Sequence, residues 1–151
     1  MIRKYGVLLV PDRRTHQEEH AAAFDVHPSR ELIAVTDKHA VSAFRAEANQ
    51  LLADDYNIPY VADLDQALKL PGIDMASACP DVERRGRVAV QCADSRKCPY
   101  LDKPFAGTNE DDRAIVEAVD EMASRHRCSV RCIARSREAR GQLSGLPETA
   151  N

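Results

Sequence analysis

The sequence predicts a single α/β domain, a doubly wound parallel sheet with strand order 3-2-1-4-5-6 and helices on both faces. Three observations carry this expectation. Short apolar runs alternate with longer segments of helical period from residue 5 to residue 134. Proline, glycine and aspartate punctuate the junctions, as turns between regular elements require. Strand–helix–strand alternation builds right-handed crossover units, which stack into a parallel, Rossmann-like sheet. The 151 residues suit one domain over 1–134, and the tail 135–151 lacks an apolar period and is expected to be poorly ordered.

The elements follow in order. Tyr5 to Val10 is a short apolar run, read as a buried strand closed by Pro11-Asp12. Thr15 caps a first helix, with Glu18 at capping-box spacing, and that helix carries Ala21, Ala22 and Phe24 towards His27-Pro28. Leu32 to Thr36 is the second strand. A helix from about His39 to Asp54 then presents Val41, Phe44, Ala48, Leu51 and Leu52 as its apolar face. Ile58 to Val61 is a short third strand, and Leu64, Ala67, Leu68 and Leu70 form a brief helix stopped by Pro71-Gly72. Ile73 to Ala78 is the fourth strand, broken by Cys79-Pro80, and Val82 to Ala93 is helical. Lys97 to Leu101 is the fifth strand, where Pro99 points to an edge or distorted position. Asn109 caps a helix through Arg125 with Ile115, Val116, Val119 and Met122 inward. Cys128 to Ala134 reads as a sixth strand.

Composition narrows the function. Apolar residues make up 44% and charged residues 30%, the profile of a water-borne globular chain. The net charge of −3 sets up no field favouring nucleic acid or an anionic membrane, and no apolar run reaches the ~18 residues that span a bilayer. The apolar stretch near Met1 is too short for a secretory leader, so a cytoplasmic location is expected. Five cysteines without a C-x-x-C pair read as idle thiols in a reducing compartment. His16, Glu19 and His20 match the H-x-x-E-H zinc pattern, but no partner carboxylate helix follows, so no metal is expected. Arg125, Arg127, Arg131, Arg135, Arg137 and Arg140 make the end of the chain basic without aromatic stacking partners, which fits a solvated face.

Candidate site residues gather where strands end. The first turn, Val10 to His16, lacks the G-x-G-x-x-G glycines that bring backbone close to a pyrophosphate. Arg13 and Arg14 offer charge in their place, and the alternative is a solvated loop. Asp37 ends the second strand, where an acid accepts from adenine-ribose hydroxyls; its alternative is a helix cap. Cys79 and Pro80 end the fourth strand. Asp102-Lys103-Pro104, followed by Phe105-Ala106-Gly107-Thr108, forms a charged ledge after the fifth, where Gly107 is expected to supply a positive φ.

The ledge resembles the [E/D]-K-P signature of the Gfo/Idh/MocA oxidoreductases, and Ala78-Cys79-Pro80-Asp81 resembles that family's T-P turn. The similarity covers residues 3–125, densest from Pro80 to Met122. It implies a nucleotide-binding domain using NAD or NADP, of the sugar or polyol dehydrogenase type. It further implies that Lys103 meets the substrate at the nicotinamide end, that Asp102 helps hold the nicotinamide ribose, and that Cys79 and Pro80 lie near the nicotinamide. Two departures stand beside it. Arg85 occupies the place of a usual histidine, and Ser95-Arg96 replaces a helix-ending Ala-Gly, so Arg96 must adopt a left-handed conformation or the loop must rebuild. The family's substrate domain would follow beyond residue 134, so the expectation is a truncated chain with little or no turnover by itself. The alternative is a non-catalytic Rossmann-like interaction or oligomerisation module, and self-association into a homo-oligomer stays open in either case.

Overall fold

The computed structural model describes residues 3–11, 16–37 and 41–125. The sixth strand expected at 128–134, the tail 135–151 and the boundary between them lie outside this range. So do Arg13 and Arg14. The order is β1 Tyr5–Val10, α1 His16–Asp25, β2 Arg30–Thr36, α2 Ala43–Asp55, β3 Tyr60–Val61, α3 Leu64–Ala67, β4 Ile73–Ala78, α4 Val82–Asp94, β5 Cys98–Leu101 and α5 Asn109–Arg125. The described strands form one parallel sheet, ordered β3-β2-β1-β4-β5. The expected order thus holds for its first five strands. The chain runs outward from β1 through β2 to β3, then returns to place β4 on the opposite side of β1. That reversal opens a crevice outside the carboxyl ends of β1 and β4.

Two cores sandwich the sheet. Leu8, Val10, Ala34, Ala76 and Ala78 face Leu64, Leu68, Val88 and Cys92. Val7, Leu9, Val35 and Met75 face Ala21, Leu52 and Ala53. The central strand β1 is covered on both sides, which is why its sequence is apolar without alternation. A third cluster joins Ala89 and Ala93 of α4 to Ile115, Val119 and Met122 of α5, so α5 forms an outer layer on α4.

The sheet is irregular around Gly6. Gly6 pairs with Ile73 and Val7 with Met75, which leaves Asp74 as an extra residue in β4. Its carboxylate accepts the Gly6 N–H at 3.0 Å and also takes Arg3 at 2.7 Å. On the other side Val7 pairs with Leu32 and Leu8 with Ala34, which leaves Ile33 extra in β2. A Cβ at Gly6 would sit 1.9 Å from the Gly72 carbonyl oxygen and 2.8 Å from Ile33, so only glycine fits between the two bulges.

Several local expectations change. The face of α2 is rotated: Arg45, Asn49, Leu52 and Ala53 point inward, while Phe44 is 82% and Leu51 59% exposed. The cause is polar demand from Asp37, described below. Helix α5 is capped by Thr108 rather than Asn109, since Thr108 Oγ1 accepts the Asp111 N–H at 3.1 Å. Gly107 has no positive φ; its place is set by close approach, as a Cβ there would lie 3.2 Å from the Val82 carbonyl oxygen. Arg96 does take the left-handed conformation, with φ of 62°, and the Arg96 and Lys97 N–H groups close the end of α4 on Ala93 and Cys92 carbonyls. β3 shrinks to two residues, though the Pro59 carbonyl still accepts the Val35 N–H. Pro99 sits in β5, an edge strand among the described residues. Cys79 and Cys92 are reduced thiols, whereas Cys98 is disulfide-bonded, which corrects the expectation of five idle thiols.

Two substitutions test these backbone assignments by chemical denaturation. Gly6→Ala is expected to cost about 3 kcal/mol, because the clash is with backbone that cannot swing away. Arg96→Gly is expected to stabilise by about 0.5–1 kcal/mol by relieving a left-handed non-glycine residue.

Candidate functional site

The crevice rim is built from residues that follow each strand: Pro11 after β1, Asp37 after β2, Cys79 and Pro80 after β4, Asp102 and Lys103 after β5. Parallel strands place all of them along the carboxyl edge of one sheet. Pro80 and Asp37 are fully buried, and Lys103 is exposed.

Asp37 is the electrostatic centre of this edge. Its carboxylate accepts from Arg45 Nε, from Arg45 Nη2 at 3.1 Å and from Asn49 Nδ2 at 2.9 Å. Arg84 Nη1 approaches the same group at 3.5 Å. Arg45 reaches onward, donating Nη2 to the Pro11 carbonyl at 2.9 Å and lying 3.5 Å from Asp81, which also faces Arg84 at 3.4 Å. Two acids and two guanidinium groups therefore alternate across the crevice floor. The network explains the rotation of α2: a buried carboxylate needs charged and amide donors, and Arg45 and Asn49, four residues apart, supply them from one helix face. Asp37 does not cap α2, whose cap is Ser42. Sequence inspection missed Arg45, Asn49 and Arg84, and named Asp81 only as part of the turn after the fourth strand. The visible trace of Arg45 and Asn49 was that 45, 49, 52 and 53 share helical phase with a buried pair.

Arg85 organises the ledge. It is buried, and its Nη1 donates to the carbonyls of Asp102, at 3.1 Å, and Pro104, while Nη2 donates to the Pro80 carbonyl at 3.1 Å. One guanidinium thus ties the turn after β4 to the turn after β5, and the Lys103–Pro104 peptide bond is cis. The Asp102 carboxylate accepts the Lys103 backbone N–H at 2.8 Å, closing the turn on itself. This holds the Lys103 backbone while its side chain reaches solvent.

Cys79 stands beside His20 of α1, with Sγ 3.2 Å from Nδ1. Glu19 is exposed, and among the described residues no group of three or more His, Cys, Asp and Glu is placed to hold a metal. A cavity of about 280 Å³ lies at the end of β1 between α3 and α4. Val10, Leu64 and Val88 give it an apolar floor; Asp63, Asp65, Arg84, Arg87 and Gln91 give it a polar rim. Such a surface suits a flat heterocycle whose edges form hydrogen bonds.

Removing Asp37 leaves the Arg45 and Arg84 side chains, 10% and 13% exposed, facing the more exposed Asp81 carboxylate at 3.5 and 3.4 Å in place of a fully buried counter-ion. Asp37→Ala is expected to destabilise by about 3–5 kcal/mol in urea unfolding. The double variant with Arg45→Ala is expected to lose clearly less than the sum of the two singles, since the pair acts as a unit.

No protein-family model matches the chain, and no match is found among curated proteins. Solved structures do resemble it. GenD2 from gentamicin A biosynthesis, in complex with NAD, is 19% identical with a TM-score of 0.72, over 82% of this chain and 33% of that one. The WlbA dehydrogenase from Bordetella pertussis, in complex with NADH and UDP-GlcNAcA, is 22% identical with a TM-score of 0.70, over 80% and 33%. Biliverdin reductase from Synechocystis sp. PCC 6803, in complex with biliverdin and NADP+, is 18% identical with a TM-score of 0.67, over 78% and 35%. The chain spans about a third of the length of the structures it matches. At these identities the likeness is one of fold: the described chain has the Rossmann-like architecture found in part of these NAD(P)-linked oxidoreductases.

Proposed function

We propose that this chain is an NAD(P)-binding domain of the Gfo/Idh/MocA type. The observation that carries the reading is the cavity at the switch point, with apolar floor and polar rim, in a fold similar to part of a structure solved in complex with NAD. The adenine ring would rest on Val10, Leu64 and Val88, with Arg84, Arg87 and Gln91 around its edge. Pyrophosphate would depend on charge from Arg13 and Arg14, because the glycine cradle is missing. Asp37 is already engaged by Arg45 and Asn49, so the ribose would meet the network as a whole rather than a bare acid. That lowers the expected affinity and leaves NAD and NADP weakly distinguished. Lys103 would face the nicotinamide end with Asp102, Cys79 and Pro80, where an ammonium group stabilises negative charge developing on a sugar or polyol hydroxyl. The bound dinucleotide supplies the hydride chemistry. Turnover would draw on further groups from a substrate domain.

A second reading has its own support. Phe44, Ala48 and Leu51 form an exposed stripe on α2, consistent with a non-catalytic module that acts by protein contact or self-association. Titration of NADH fluorescence separates the two. Saturable binding below about 1 mM is expected for the first reading, weakened at least tenfold by Gln91→Trp, which fills the cavity, and about threefold or less by Lys103→Ala. Absence of binding at about 1 mM, with association that rises with protein concentration, would favour the second.

A further inference from the structure

Between α1 and β4, the apolar packing on this side of the sheet is interrupted by a polar seam. Gln17 and His20, one turn apart on α1, meet Ser77 and Cys79 at the carboxyl end of β4. Gln17 Nε2 donates to Ser77 Oγ at 3.3 Å, and His20 Nδ1 lies 3.2 Å from Cys79 Sγ. Gln17 is 1% exposed, and its Oε1 is buried without a hydrogen-bond partner. The Tyr100 ring stands edge-on to His20, with centroids 5.4 Å apart, and Tyr100 packs in the same way against Phe24. These contacts hold the imidazole against the thiol. A layer that only needed filling would be better served by apolar side chains, since buried polar groups cost free energy even when paired.

We propose that Cys79 is a nucleophilic thiol with His20 as its base, and that it is a modification site for small hydroperoxides. His20 Nδ1 accepts the thiol proton. The resulting thiolate attacks the terminal peroxide oxygen, the O–O bond breaks, and the departing oxide takes the proton from the imidazolium. With hydrogen peroxide the products are Cys79 sulfenic acid and water, and His20 is neutral again. The two-electron oxidation of sulfur matches the reduction of the peroxide. Cys79 is 2% exposed, so only a small reagent reaches it, which excludes bulky disulfides as the first reactant. Helix α4 begins three residues later and points its N-terminus towards this edge, adding a dipole that favours negative charge. The chain carries its own control. Cys92 is the other reduced thiol among the described residues, and burial in apolar surroundings pushes it up to about 12.

The test exposes the full chain to hydrogen peroxide with dimedone present and follows each cysteine peptide by mass spectrometry. Cys79 is expected to form its adduct at least about tenfold faster than Cys92, and His20→Ala is expected to slow it about tenfold. Added imidazole should restore part of that loss, while Cys92 stays slow throughout. Equal rates at Cys79 and Cys92 in the unmutated chain overturn the proposal. So does an unchanged Cys79 rate in His20→Ala, or a loss that imidazole does not relieve, which would assign His20 to packing. If His20→Ala loosens the fold, seen as a faster Cys92, His20→Gln and the unmutated comparison decide.

Discussion

A carboxylate with no access to water stands at the end of β2, and much of the carboxyl edge is arranged to tolerate it. Asp37 would be prohibitively costly alone. Arg45 and Asn49 answer it from α2, and Arg84 answers from α4. Because Arg45 also holds the Pro11 carbonyl, the same charge pair fastens the end of β1. One acid thereby links elements on both sides of the point where the chain reverses direction. The sheet interior is held by apolar contacts, but the relative placement of its loops at this edge is electrostatic.

Arg85 has the corresponding role on the far side of β4. Its three carbonyl acceptors come from the turns after β4 and β5, so it sets the ledge that carries Lys103. The two arginine centres differ in kind. Around Asp37, charges neutralise one another; around Arg85, a cation is solvated by backbone oxygens. Both consume donors that an open phosphate site would otherwise use. Among the described residues, a dinucleotide entering this crevice meets arginines whose other donors are engaged, while Arg84 Nε and Nη2 and Arg85 Nε are buried without a hydrogen-bond partner.

Much of the fold was legible because its punctuation is chemical. Cys79-Pro80 ends β4, Gly72 turns the chain into β4 with a φ of 84°, and Pro99 sits in an outermost described strand. Helix α3, by contrast, ends at Ala67, earlier than the expected Pro71-Gly72 stop. The alternation of elements gave the parallel order, and the departure at Ser95-Arg96 led to the strained residue there. The inward face of α2 was not legible, because Phe44 and Leu51 look like core until the buried acid facing Arg45 is known. The candidate site was readable as positions, since strand ends must line the crevice, but not as contacts. Nothing in the spacing of Asp37, Arg45 and Arg84 reveals that they meet, nor that His20 reaches Cys79 from another element. Such pairings are tertiary and appear only when helices are docked.

The outer helix α5 rests on α4 and supplies no strand neighbour with a pairing partner. Its apolar residues Ile115, Val119 and Met122 meet Ala89 and Ala93, and Thr108 anchors its start. The five described strands pair with one another without a contribution from this helix. An outer layer held by one cluster can open locally, and the amide protons of α5 are expected to exchange through partial opening before those of β1 and β4 do.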